Sequence, residues 1–288
     1  MNYYKDFDFN KAGKLIKSAL IEDIGSGDIT TDLFINKNSI SHAQLLVKQN
    51  GIIAGLRIFK MVFELLDKNV KCNFFIKDGQ KTKKGEIAGI IKGHTASLLI
   101  GERTALNILQ RMSGIATVTN ELVKLLGNKS IKLLDTRKTT PNFRIFEKAA
   151  VKMGGGYNHR EGLYDMYLIK DNHIEASGGI NKTLAYLQKH KKKLKRKTEI
   201  EVKNLNELKE VIDNGKNVID RIMLDNFSIQ QIKKAVELAG GKFEIEISGG
   251  VNKNNISSYG RIRGIDYISA GFLTHSAKSL DISLNFIT

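Results

Sequence analysis

Arg137, Lys138, His159, Arg160 and Lys170, all able to carry positive charge, fall within residues 135–173. The stretch reads DTRKTTPNFRIFEKAAVKMGGGYNHREGLYDMYLIKDNH, and it also carries Gly154, Gly155, Gly156 and the chain's one proline, Pro141. Arg presents a planar fork that matches a carboxylate or phosphate, and Lys presents a point charge. A basic surface loop is the plainest account of a cationic stretch. Here the cations are too dense to be buried without counter-charge. A ligand with two carboxylates, or with a carboxylate and a diphosphate, would supply that charge. The stretch therefore reads as a pocket for a small, multiply anionic ligand.

Further candidates lie downstream. Glu201 and Asp225 each end a short apolar run, and their carboxylates could share a hard cation such as Mg²⁺. Pairing with local lysines is the alternative. Ser248-Gly249-Gly250 offers successive backbone N–H groups with no Cβ in the way, which can cradle a phosphate. A simple tight turn explains that tripeptide alone equally well. Ala270-Gly271, after Ser269, repeats the arrangement and favours the phosphate reading. Arg103 sits mid-helix in GERTALNILQRMSG, and spacing assigns it no role. Arg144 and Lys148 read as structural or rim charges, and His173 as a hydrogen-bonding loop residue.

The elements that must hold these groups follow from periodicity. Apolar positions Ala12, Leu15, Ile16, Ala19 and Leu20 predict a helix over 9–20. EDIGSGDITTD (22–32) is rich in turn formers. Residues 43–92 predict short strands around a helix near 57–67, and 95–126 a long helix interrupted at Ser113-Gly114. From residue 130, short apolar runs at 131–135, 166–170, 199–202, 221–225, 243–248 and 265–270 alternate with helices near 143–153, 179–190, 205–214, 228–239 and 252–259. Such units imply parallel strands with right-handed crossovers. Arg137 and Lys138, Lys170, Glu201, Asp225, Ser248 and Ser269 end or follow six successive strands. A β/α barrel gathers chemistry around one mouth in this way, whereas a doubly wound sheet concentrates it at one switch point.

Bulk properties exclude several classes. The 288 residues can bury a large core, and 41% hydrophobic with 26% charged content is ordinary for a globular protein. No apolar run reaches membrane-spanning length, and the first residues show no signal-peptide pattern. Cys72 is the only cysteine, which precludes an intrachain disulfide and fits a reducing, cytoplasmic compartment. No zinc spacing is present among the six histidines. The net charge of +16 admits nucleic acid as a partner. The run His190 to Lys197 lacks interleaved aromatics and reads as a solvated helix end.

The central stretch resembles the signature of the quinolinate phosphoribosyltransferases (nicotinate-nucleotide pyrophosphorylases, carboxylating). The resemblance extends through EDIGSGDITTD, GERTALNILQRMSGIAT, EIEV, IMLDNF, EISGGV and ISAGFLTHSAKSLDISL, so it covers nearly the whole chain. One departure is Asn142 in place of the glycine often found after TTP; Asn tolerates left-handed backbone, so the turn should survive. The resemblance implies an α/β fold with two parts. One is an N-terminal α/β sandwich-like domain over 1–112, joined by the tail 275–288. The other is an open, TIM-like α/β barrel with fewer than eight strands over 113–274. It implies a homodimer with the active site shared between subunits. It also implies a pentosyltransferase of NAD biosynthesis: quinolinate and phosphoribosyl diphosphate give nicotinate mononucleotide, diphosphate and CO₂, with Mg²⁺ and no organic cofactor. Position by position, Arg137, His159, Arg160 and Lys170 match quinolinate contacts, joined by Arg103 from the other subunit, and Lys138 matches a diphosphate or ligand contact. Glu201 and Asp225 match the ribose and metal carboxylates, and Ser248, Gly249, Gly250 and Gly271 the 5-phosphate cradle, with Ser269 beside it. Lys138, Lys170, Glu201 and Asp225 are the catalytic candidates.

Two rivals remain at this stage. Molybdenum-transport-associated homologues resemble the chain in fold but diverge in the central motif, where KDNH and NHR favour the quinolinate enzymes. A nucleic-acid binder needs stacking or base-reading residues on a basic face, and the Phe and Tyr residues here are scattered. Neither nucleic acid nor membrane is expected as a partner.

Overall fold

A computed structural model describes residues 3–287. In chain order the elements are α1 (Phe9–Ile24), α2 (Ile29–Phe34), β1 (Ile40–Val47), β2 (Gly51–Ile52), α3 (Leu56–Leu66), β3 (Lys71–Phe74), β4 (Lys81–Thr82), β5 (Ile87–His94) and α4 (Thr95–Leu126). There follow β6 (Lys132–Leu134), α5 (Arg144–Met153), β7 (Tyr167–Ile169), α6 (Asp171–Ala176), α7 (Ile180–Lys189), β8 (Thr198–Val202), α8 (Leu205–Asn214), β9 (Arg221–Asp225) and α9 (Ile229–Ala239). The chain closes with β10 (Glu244–Ser248), α10 (Ile256–Tyr259), β11 (Tyr267–Ser269), α11 (Phe272–His275) and β12 (Ile282–Ile287). Two compact units result: residues 1–120, 139–155 and 273–288, and residues 121–138 with 156–272.

The first unit contains an antiparallel sheet in the order β12-β1-β5-β3 and the short β2–β4 pair. Helix α1 starts at Asp8, whose carboxylate accepts the Lys11 N–H at 2.9 Å, and stops at Gly25 with φ 55°. Its buried stripe is Ala12, Ile16 and Leu20. The half-buried Asp78 carboxylate accepts the Gly55 and Leu56 N–H groups at 2.6 and 2.9 Å, capping α3, which buries Phe59 and Phe63. Helix α4 runs unbroken through Ser113-Gly114, where an interruption was expected. Both small residues serve close packing: Ser113 Oγ accepts the Ala54 N–H at 3.0 Å, and a Cβ on Gly114 would run into the Lys278 carbonyl. Residues 139–155 group with this unit because Glu147, fully buried on α5, receives Arg111 Nη2 at 2.8 Å and the Thr140 N–H at 3.1 Å. Asn142 does adopt the left-handed conformation, φ 60°.

The second unit is a six-stranded parallel sheet in the order β6-β11-β10-β9-β8-β7. Read from β7, the strands run in sequence to β11 and then meet β6, the first of the set. That is the cyclic order of a barrel, open between β6 and β7; a doubly wound sheet reverses direction midway. The sheet also curls. Residue Tyr157 bridges to Leu134 on the free side of β6. At about 4.8 Å per strand, a flat sheet would hold this segment roughly 24 Å from β8. Instead His159, two residues on, reaches Glu199 on β8 at 3.0 Å. The strand ends and helices lie close to expectation, with two differences. Helix α10 is confined to 256–259, because Asn252 and Asn255 turn their side-chain amides onto the Gly250 carbonyl. Helix α6 occupies what reads in the sequence as loop, and His173 sits in its first turn, with Nδ1 accepting the Lys170 N–H at 3.0 Å.

Candidate active site

Strand alternation decides which side chains share a face. On β8, Glu199 and Glu201 point the same way; so do Arg221 and Asp225 on β9, Glu246 and Ser248 on β10, and Tyr267 and Ser269 on β11. Register places Ser248 level with Asp225, and Glu201 level with Met223. The carboxyl ends of these strands therefore carry a ring of polar groups.

Glu201 is buried, and its carboxyl is held above the ordinary carboxylate range, first by burial and then by the neighbouring Asp225 carboxylate; Lys170 opposes the shift. The three predicted residues Glu201, Asp225 and Lys170 thus share one electrostatic environment. Asp225 Oδ2 accepts from Asn226 Nδ2 at 2.8 Å, and Asn226 takes φ 57°. The turn that follows β10 holds Gly249 at φ 94° and Gly250 at φ 59°. Any Cβ on Gly249 would strike the Asn226 side chain and backbone nitrogen, so the tight approach needs glycine. Ser248 is half-buried beside this turn, and Gly271 follows β11.

The cation half is built around Asp135, immediately after β6. Fully buried, it accepts the His159 N–H at 2.9 Å through Oδ1 and the Asn158 amide through Oδ2. Asp135 thereby ties the Asn-His-Arg segment to the strand that leads to Arg137. Arg160 holds its proton less firmly than an ordinary guanidinium, because of burial first and then the adjacent charge of Arg137. Two like charges are held together, an arrangement that favours an anionic ligand between them. Arg137 and Lys138 are exposed, as is Lys170. Arg103 belongs to the first unit. It is exposed on α4 and lines a cavity of about 270 Å³ with Asp23, Gly27 and Asp28.

Beneath the carboxyl ends lies a buried charged cluster that sequence reasoning missed. His159 Nε2 is 3.0 Å from Glu199 Oε2 and 3.5 Å from Glu246 Oε1, and Arg221 Nη1 meets Glu246 Oε2 at 2.8 Å. Burial is the main cause that pushes both carboxyls up to about 7. The Ser269 hydroxyl, also buried, lies next to the Glu246 carboxyl. Glutamates at alternate positions in EIEV and EIEIS, inside otherwise apolar strands, were the available signal.

Oxygen-only donors at Glu201 and Asp225, with the Asp225 carboxylate raising the cost of charge on Glu201, fit a hard divalent cation. Among the described residues, no helix is long and apolar enough to cross a membrane.

Comparisons with known proteins agree over nearly the whole chain. The quinolinate phosphoribosyl transferase N-terminal domain family matches residues 28–113, and the corresponding C-terminal domain family matches 115–285. A Bacillus subtilis protein named probable nicotinate-nucleotide pyrophosphorylase (carboxylating) is 43% identical, over 94% of this chain and 92% of its own length. A Nicotiana tabacum quinolinate phosphoribosyltransferase (decarboxylating) is 41% identical, over 96% and 82%. The crystal structure of NadC from Streptococcus pyogenes superimposes with a TM-score of 0.91 at 42% identity, covering 99% of this chain and all of that one.

Proposed function

The chain belongs to the quinolinate phosphoribosyltransferase family, and on that premise we propose how its residues divide the work of transferring phosphoribosyl to quinolinate. The reaction joins the ribosyl group of phosphoribosyl diphosphate to the pyridine nitrogen and releases diphosphate and CO₂, leaving nicotinate mononucleotide. One observation carries the assignment of residues. At the carboxyl ends of one set of parallel strands, the unit joins a cation pair (Arg137, Arg160), a carboxylate pair with its lysine (Glu201, Asp225, Lys170) and a positive-φ glycine turn (Gly249, Gly250).

Arg137, Arg160 and Lys170 receive the two carboxylates of quinolinate, with His159 seated behind them. Ser248, Gly249, Gly250 and Gly271 hold the 5-phosphate, flanked by Ser269. As the bond to diphosphate breaks, positive charge builds on the ribose, and the Glu201 and Asp225 carboxylates stabilise it. Lys138 takes the charge of the leaving diphosphate. A Mg²⁺ ion held by Glu201 and Asp225 would neutralise the same leaving group. The pyridine nitrogen bonds to the anomeric carbon and becomes cationic. The bond from C2 to its carboxylate then breaks, its electron pair stays on the ring, CO₂ departs, and C2 takes up a proton. Holding both substrates in line can contribute on the order of 7 kcal/mol or more.

The active form is a homodimer in which the partner subunit's Arg103 completes the quinolinate pocket. The family resemblance and the exposed position of Arg103 in the other unit support this reading. The lone Cys72 supports a reducing, cytoplasmic setting. The test supplies quinolinate, phosphoribosyl diphosphate and Mg²⁺. Formation of CO₂ and nicotinate mononucleotide in equal amounts is expected; phosphoribosyl transfer without CO₂ overturns the acceptor assignment.

A further inference from the structure

Three buried side chains have no part in the steps above: Glu199, Arg221 and Glu246. Together with His159 they form one cluster inside the sheet, where the two glutamates have no solvent exposure at all. Buried charges survive only with well-formed partners, so the partners reveal what the cluster enforces. Arg221 occupies one oxygen of Glu246 at 2.8 Å. The other Glu246 oxygen and Glu199 Oε2 both face His159 Nε2, at 3.5 and 3.0 Å. On the far side of the ring, His159 Nδ1 accepts the backbone N–H of Arg160 at 2.7 Å. A ring nitrogen that accepts a hydrogen bond carries no proton, so the imidazole proton resides on Nε2, facing the two carboxylates. The His159 N–H is meanwhile fixed by Asp135 at 2.9 Å. Two consecutive backbone N–H groups are therefore pinned, and the second belongs to the arginine that stands beside Arg137.

We propose that Glu199 and Glu246 are positioning residues, which hold His159 in its Nε2–H form so that Nδ1 fixes the Arg160 backbone and aims the Arg160 guanidinium at a carboxylate of the acceptor. The proposal rests on the quinolinate reading of the site. In its ionised form either carboxyl can only accept at Nε2, and so favours that tautomer. In the other tautomer a ring N–H would face the Arg160 N–H, donor against donor, and the backbone there must shift. The loss then falls on the carboxylate-binding arginine and spares the glycine turn that holds the phosphate.

The test combines a spectrum with kinetics. In protein labelled with ¹⁵N-histidine, the His159 signals, identified by their loss in His159→Gln, should show a protonated Nε2 and an unprotonated Nδ1. Glu199→Gln is the informative substitution, because an amide can donate to Nε2 and so support the wrong tautomer; Glu246→Gln serves if the first variant does not fold. Displacing Arg160 should raise the KM for quinolinate roughly tenfold to a hundredfold. The KM for phosphoribosyl diphosphate should stay within about twofold of wild type, since Glu199→Gln leaves Glu201 in place and the Gly249-Gly250 turn follows a different strand, β10. A protonated Nδ1 in the wild type overturns the proposal. So does a Glu199→Gln enzyme that melts earlier but keeps both KM values, or one in which both rise together. If the wild type makes no nicotinate mononucleotide yet shows the Nε2–H ring, the transferase reading and the role given to Arg160 fall, while the tautomer assignment stands.

Discussion

Arg221 Nη1 stands 2.8 Å from Glu246 Oε2, a cation on β9 held by a carboxylate on the neighbouring β10 with almost no access to water. Its guanidinium also lies 3.7 Å from the centre of the Tyr267 ring, and Nε reaches Glu244 at 3.2 Å. Removing the cation strands a buried negative charge. Arg221→Met should cost about 3–5 kcal/mol of folding stability. Chemical denaturation measures it, and a loss below about 1 kcal/mol, the scale of an exposed pair, speaks against a buried pair.

The same cluster makes stability depend on pH. Burial is the main reason that the Glu199 and Glu246 carboxyls are raised to about 7 in the folded protein, above their ordinary value of 4.5. A raised carboxyl favours the folded state when protonated. This contribution is complete below pH 4.5 and is lost as pH rises toward 7, because over that window the folded chain binds more protons than the unfolded one. Melting of Glu246→Gln should show a shallower decline across this window than the wild type. Identical slopes would exclude the cluster as its source.

Gly249 combines φ 94° with a Cβ position blocked by Asn226. Gly249→Ala must therefore distort the turn, at about 1–2 kcal/mol of strain. The KM for phosphoribosyl diphosphate should rise tenfold or more for each 1.4 kcal/mol of lost binding, with quinolinate binding little changed. If calorimetry finds quinolinate weakened instead, the phosphate cradle lies elsewhere.

Arg103 acts in trans under the dimer reading. Arg103→Ala and Lys170→Ala should each be inactive alone, yet recover part of the activity when mixed, as hybrid dimers regain one intact site. Subunit exchange without recovered activity rejects the assignment.

The acceptor pocket carries more positive charge than one carboxylate offsets. Nicotinate lacks the 2-carboxylate and would forgo the contacts that Arg137, Arg160 and Lys170 make to that group under the quinolinate reading. A site built for a polar group rejects the analogue lacking it by roughly 10⁴-fold. Comparable kcat/KM values for the two acids would move the protein to another acceptor class.

Much of the second unit could be read in advance, because each parallel strand is a short apolar run and most of its helices carry a clear 3.6-residue stripe. Glu201 and Asp225 were also visible, since a polar residue that closes an apolar run stands out. Glu199 and Glu246 were not. They lie inside runs that read simply as strand, and nothing local says that the sheet curls far enough to bring them onto His159. Ser113-Gly114 misleads for a related reason: small residues that usually mark a break here admit a neighbouring backbone, which only the tertiary structure reveals. The short helix α6 escaped notice because its start is capped by the His173 ring, which accepts the Lys170 N–H, and not by one of the usual capping side chains.

The gap between β6 and β7 carries a hazard of its own. An unclosed sheet presents bare N–H and C=O groups to any extended chain, which is how misassembly and fibre growth begin. Both bordering strands are only three residues long, and the β6 border is partly occupied by Tyr157. An intruding strand would find too few rungs to hold on. The opening can therefore persist at high protein concentration without becoming a seed for aggregation.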